Sequence, residues 1–280
     1  MENKMAGRVA VITGAASGIG RGLAEQGASL GLRLVLADVD ENALEALTQQ
    51  LRGQGADVLA CLTDVSDAEQ VARLRDAAVA RFGGVDLLFN NAGVMQTGYS
   101  WEIDAGQWRR MLDINLNGVI NGIRCFMPLL LAQGRPAQVI NTASLAGLVS
   151  SPMMAPYNVT KQAVVALSET LHYELAQLGA PVSVSVLCPG PVASAIMASD
   201  AVAEGPAAAF SAALDGSIRA GMAPRALAEQ VFEALAEKRF WILPHKSFKP
   251  ALEQRLRSIL DECNPRFVMA DVQGESHAAR

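Results

Sequence analysis

Metal-binding side chains are scarce in this chain. Its 280 residues include four cysteines (Cys61, Cys125, Cys188, Cys263) and three histidines (His172, His245, His277). No two cysteines form a CxxC pair, and no histidine stands beside one at ligand spacing, so no metal site is expected. Three of the four cysteines lie in apolar runs, as small buried hydrophobes in a reducing compartment do. No histidine is near a candidate nucleophile, which leaves a Ser-His-Asp enzyme poorly supported. The net charge is −5, with acids and bases interspersed. Without a basic stripe, no nucleic-acid partner is expected. No apolar run approaches the roughly 18 residues of a membrane span. The opening "MENKMAGRVAVITG" shows no charged segment leading into an apolar stretch and a cleavage site. The expectation is a cytoplasmic protein with no membrane partner.

What is present is apolar: 51% of the residues are hydrophobic, enough for a sizeable core. Short β-branched runs at 8–13, 33–38, 56–61, 85–90, 137–144 and 181–188 read as strands. They are nearly continuous runs, the pattern of strands covered on both faces. Helical periodicity fills the intervals, and "SDAE" offers a Ser or Asp cap to one helix. Repeated β-α-β units predict one α/β domain over 1–280. Its sheet is a Rossmann-type doubly wound parallel sheet of about seven strands, with helices on both faces. Residues 191–223 have a broken helical pattern and read as a mobile substrate loop. Residues 224–260 read as a helix, the short strand "RFWILP" and another helix. Residues 261–280 read as a flexible tail.

"TGAASGIG" (13–20) follows the first strand and opens a helix. Glycines there permit a tight turn and close approach of a pyrophosphate to the helix N-terminus. The second strand ends in Asp38, 18 residues after Gly20. A carboxylate at about that distance accepts from the adenosine ribose hydroxyls and repels a 2′-phosphate. Val39 follows it, where an Arg would accommodate that phosphate. NAD is therefore favoured over NADP. No Gly-Lys-Ser/Thr follows the loop, which disfavours a P-loop NTPase.

"APYNVTKQAV" (155–164) places Lys161 four residues after Tyr157. With three tyrosines and five lysines in the chain, chance gives that helical spacing roughly 5% of the time. Ser144 stands thirteen residues upstream, at the end of a strand. In a parallel sheet, ligands bind outside the carboxyl ends of the strands. "TDV" (63–65), "NNAG" (90–93) and "CPGPV" (188–192) follow strand ends as well.

Taken jointly, "TGAASGIG", "NNAG", Asn115 in "DINLNG", Ser144, Tyr157, Lys161 and Pro189–Gly190 resemble the short-chain dehydrogenase/reductase family, over about residues 7–244. The resemblance implies an oxidoreductase acting on an alcohol or ketone with NAD, and a catalytic set of Asn115, Ser144, Tyr157 and Lys161. Its implied cofactor residues are Gly14, Ser17, Gly18, Ile19, Gly20 and Asp38, with Asp64 and Val65 at the adenine and Asn91, Ala92 and Gly93 at the centre. Pro189, Gly190, Val192 and Ser194 would lie at the nicotinamide end, with Tyr157 and Lys161 also on the cofactor. Chemically, Tyr157 would exchange a proton with the substrate. The Lys161 ammonium would lower its pKa from the usual value near 10. Ser144 would stabilise the substrate oxygen, and Asn115 would serve a relay of water molecules. A non-catalytic dinucleotide-binding regulator on the same fold is the alternative.

The small-molecule substrate is expected beside the nicotinamide, near Met95, Met153, Met154, Ile196 and Met197 with Ser144 and Tyr157. No Arg or Lys occurs in 94–101, 145–154 or 192–197, so a neutral, largely apolar substrate is favoured. "INLNGVINGIRCFMPLLLAQGRP" and "RFWILPHK" are similar to bacterial family members that act on bulky secondary alcohols, including lignin-derived aryl alcohols. Helices over 114–132 and 157–178 are apolar on more than one face, which suggests a homodimer or homotetramer.

Overall fold

Strands form where the apolar β-branched runs fall. In a computed structural model describing residues 5–197 and 206–267, they are β1 (Val9–Thr13), β2 (Arg33–Asp38), β3 (Val58–Leu62), β4 (Leu87–Asn90), β5 (Ala137–Thr142), β6 (Val182–Leu187) and β7 (Trp241–Ile242). All pair in parallel in one sheet of order β3-β2-β1-β4-β5-β6-β7. β7 is only two residues long. Pro244, which has no N–H, stands just beyond it.

The helices are α1 (Gly18–Ser29), α2 (Glu41–Gly53), α3 (Ala68–Phe82), α4 (Ala105–Leu112), α5 (Gly118–Ala132), α6 (Ala155–Leu178), α7 (Pro206–Arg219), α8 (Pro224–Ala236) and α9 (Lys249–Leu260). Side-chain caps start several of them. The Asp40 carboxylate accepts from the Ala43 N–H, and Asp67, the cap within "SDAE", accepts from Glu69 and Gln70.

Both faces of the sheet are dry. On β1, Ala10 and Ile12 join a core with Leu23 of α1, Leu47 of α2 and Val231 of α8. Val9 and Val11 face the other way, into a core with Leu74 of α3, Phe126 of α5 and Leu171 of α6. All four β1 residues are fully buried. Val9, Val11 and Ile12 each contribute about 1.5–3 kcal/mol by burial, so the alternation secures both helical layers at once.

Two local findings depart from the sequence reading. Residues 206–219, inside the expected loop 191–223, form α7. Alanines give this stretch helical propensity, and Phe210, Leu214 and Ile218 recur at i, i+4, i+8 to make a stripe that packs on Met95 and Met197. The remainder of that loop at 198–205, and the tail from 268 on, lie outside the described residues. Asp113–Asn117 is a π-helical stretch between α4 and α5, with one extra residue in the turn. The continuous helix 105–132 is long and apolar enough to cross a membrane, yet 44% of its most apolar window is buried within the fold. There α5 packs on α3 and the sheet.

Candidate active site

The strand order changes direction between β2-β1 and β4, and the carboxyl ends there open onto a cavity of about 2320 Å³. Such a crevice is where open α/β sheets bind ligands. Every strand end singled out from the sequence reaches it, and so does α6 with Tyr157 and Lys161.

The phosphate cradle is built from close backbone contacts. Gly14 has φ 61°, and a Cβ there would stand 2.8 Å from Ala92 Cα. Gly20 does not line the cavity; a Cβ on it would collide with the Gly14 carbonyl oxygen. Its absence of a side chain lets α1 begin directly against the loop. The Ser17 hydroxyl makes no cap hydrogen bond. The first N–H groups of α1 therefore lack a side-chain cap, and they begin at Gly18 in the cavity wall. Asp38 Oδ2 accepts from the Ala16 N–H at 2.9 Å, while Oδ1 accepts from Val39 and Asp40. The carboxylate thus ties the loop to β2 while lining the cavity. These features fit a dinucleotide: bare glycines and helix N–H groups for phosphates, and a carboxylate for a ribose. Ser17, Ile19, Asp64, Val65, Asn91, Gly93, Pro189, Gly190, Val192 and Ser194 line the same cavity.

A polar chain links the cradle to α6. Thr13 Oγ1 donates to Phe89 O and accepts from the Asn91 and Ala92 N–H groups. Asn91 Nδ2 donates to Thr13 O, and Thr142 Oγ1 donates to Asn91 Oδ1. Lys161 Nζ then donates to Thr142 O at 2.9 Å. Thr13, which opens "TGAASGIG", and Thr142, which has no signal beyond its place at a strand end, carry this network.

Tyr157 and Lys161 are both buried, with Nζ 5.6 Å from the Tyr157 ring centre. Burial pulls the Lys161 ammonium down to about 8, with Cys188 opposing. Burial pushes the Tyr157 hydroxyl up to about 12, and a hydrogen bond from Ser144 opposes it. The expected lowering by Lys161 is not what governs the protein alone. Desolvation of the phenolate sets the direction. Ser144 Oγ also accepts from the Ala146 N–H, which caps the 3-10 turn Leu145–Gly147 and fixes the hydroxyl at the cavity wall.

Of the expected set, Asn115 lies behind the cavity wall. It is fully buried in the π-helical stretch and does not line the cavity. Its Oδ1 accepts from the Val94 N–H, and its Nδ2 donates to Val94 O and Thr160 Oγ1. The side chain is a strut between the segment after β4 and α6. Met153 is also absent from the wall: its backbone is left-handed (φ 57°) and its carbonyl accepts from the Gly98 N–H. Met95, Met154 and Ile196 line the cavity, and Met197 packs behind them against Tyr157. α7, Arg110 of α4 and Arg255 of α9 also reach the cavity, and no sequence motif marks them.

A model of the short chain dehydrogenase family matches residues 8–204. The chain belongs to the short-chain dehydrogenase/reductase family. This family member resembles a solved short-chain dehydrogenase/reductase from Burkholderia phymatum in complex with NAD. That structure is 42% identical, with a TM-score of 0.92, over 95% of this chain and 99% of the other. A CLA biosynthesis dehydrogenase/reductase of Lactiplantibacillus plantarum is 33% identical, covering 94% of this chain and 97% of that protein. A 1-deoxy-11-beta-hydroxypentalenate dehydrogenase of Streptomyces exfoliatus is 36% identical, covering 90% and 88%.

Proposed function

We propose that this short-chain dehydrogenase/reductase is a cytoplasmic, NAD-dependent enzyme that interconverts a secondary alcohol and a ketone. The observation that carries the reading is the buried Tyr157 in the wall of an apolar cavity that Ser144 also lines, with Lys161 one helical turn away. Asp38 in the cavity wall supports NAD over NADP, and so does the NAD bound to the 42% identical Burkholderia protein. When bound, NAD supplies the hydride acceptor, and its positive ring favours a phenolate beside it. Tyr157 takes the alcohol proton during oxidation and returns it during reduction. Ser144 donates to the substrate oxygen as charge develops there. Lys161 spends one N–H on Thr142 O. That leaves two donors for ribose hydroxyls, while its charge steadies the phenolate. Asn115 holds Val94 and Thr160 in register, which positions Gly93 and Lys161.

The reacting end of the substrate meets Met95, Met154, Tyr157 and Ile196, so it is apolar, as an aromatic or aliphatic carbinol is. Arg110 and Arg255 bring cations to the same cavity, so hydroxy acids belong in the test beside neutral alcohols. A panel of aryl carbinols, polycyclic alcohols, polyols and hydroxy acids, followed by NADH appearance, identifies the class. Tyr157→Phe should lower turnover at least 100-fold while NADH still binds. A non-catalytic dinucleotide-binding regulator would show no turnover in either form. Full turnover in the Phe variant would remove Tyr157 from the mechanism.

A further inference from the structure

His245 is buried just beyond β7, and no step described so far uses it. It faces the loop that leaves β6 and forms part of the cavity wall through Pro189, Gly190 and Val192. That loop has a supply problem. The last bond from this segment to β7 runs from Cys188 N–H to Ile242 O. Beyond it Pro189 and Pro191 have no N–H, so Gly190 carries the one main-chain donor of the three. β7 has ended, and no strand neighbour is there to receive it. The His245 ring takes that place. The Gly190 N–H donates to Nδ1 at 3.0 Å, and Nε2 stands 3.1 Å from Pro191 O.

The partners decide the tautomer. An amide N–H can only donate, so Nδ1 is the unprotonated nitrogen. A carbonyl can only accept, so Nε2 carries the hydrogen. The fit is steric as well. A Cβ on Gly190 would lie 2.9 Å from His245 Cγ and 3.0 Å from Leu145 Cδ1. Two further bonds spread the constraint. Pro191 O also accepts from the Met222 N–H, between α7 and α8, and Pro189 O accepts from the Leu145 N–H, next to Ser144.

We propose that His245 is a positioning residue that fixes the Pro189–Val192 loop against the nicotinamide end of the dinucleotide. The inference rests on the NAD-dependent reading above. His245→Phe keeps ring bulk and removes both hydrogen bonds, whereas His245→Asn keeps an acceptor for the Gly190 N–H. NADH affinity is read by fluorescence titration, which needs no substrate, and kcat and KM for NAD are read with the best alcohol of the panel. Two lost hydrogen bonds of ordinary strength predict that the Phe variant binds NADH roughly tenfold more weakly. KM for NAD should rise by a similar factor, more than kcat falls, and the Asn variant should recover part of the loss. If the Phe variant does not fold, the comparison of wild type with His245→Asn carries the test, with a smaller weakening expected. Wild-type NADH affinity in the folded variants would overturn the proposal, as would a loss confined to thermal stability. Failure of the wild type itself to bind NADH would overturn the reading beneath it.

Discussion

The Asp38 carboxylate has two tasks, and a substitution has to separate them. Its Oδ2 holds the Ala16 N–H of the phosphate loop, so truncation to Ala loosens the loop for any dinucleotide. Its negative charge acts against a 2′-phosphate in particular. Asp38→Asn can keep its one oxygen as the acceptor for Ala16 and removes the charge, with loss of the bonds from Val39 and Asp40. The ratio of kcat/KM for NAD to that for NADP should fall about tenfold in the Asn variant, with NADH binding little changed. An unchanged ratio would remove Asp38 as the discriminator. Lys161 offers a test on stability. Its folded pKa lies near 8, below the usual lysine value of 10.5, because burial disfavours the ammonium. Between those values the unfolded chain binds the proton that the folded chain has released. Stability from this site therefore rises as pH climbs from about 8 toward 10. Denaturant titrations across that range should show wild type gaining on Lys161→Met as pH rises. A constant difference would mean that the ammonium is not desolvated.

At the scale of elements, α7 makes the substrate wall testable. Its stripe of Phe210, Leu214 and Ile218 packs with Met95 and Tyr157, and Phe210 and Leu214 remain only partly buried. A substrate that covers Phe210 gains from its apolar area. Phe210→Ala should raise KM about tenfold for a bulky apolar alcohol and leave a short alcohol nearly unaffected. Equal effects on both would make α7 a structural element only. This helix also shows where the sequence stops being legible. β1 and β2 announce themselves because both faces are buried, so apolar residues run almost without interruption, whereas β6 alternates valines with Ser183 and Ser185. The cradle is legible because only glycine tolerates its contacts, and Tyr157–Lys161 because the two share a helical turn. By contrast, α7 follows glycines and alanines that favour no partner until Met95 and Met197 are in place. Asn115 looks like any helix amide, and only the folded chain shows that Val94 and Thr160 consume its side chain. Arg110 and Arg255 come from helices far apart in sequence, and nothing local marks them as sharing a cavity.

The whole molecule leaves apolar surface that one chain does not cover. On α6, Tyr173 is 62% exposed and Leu178 is 70% exposed, and Val159 is exposed as well. Leu131 extends the apolar surface onto α5. The inner faces of both helices are already satisfied by the sheet and by each other's neighbours. Exposed apolar side chains on the outside of a helix whose inner face is already covered point to a second contact. A homodimer or homotetramer through α5 and α6 would bury it, and it would also brace the helix that carries Tyr157 and Lys161. The wild type should therefore elute at twice or four times the 29.5 kDa chain mass in light scattering. Tyr173→Glu combined with Leu178→Glu places charges in that contact and should shift the mass toward one chain. If the assembly steadies α6, the same double variant should lose turnover at dilute concentration and regain part of it as protein is added. A wild type that stays at one chain mass at micromolar concentration would exclude this interface.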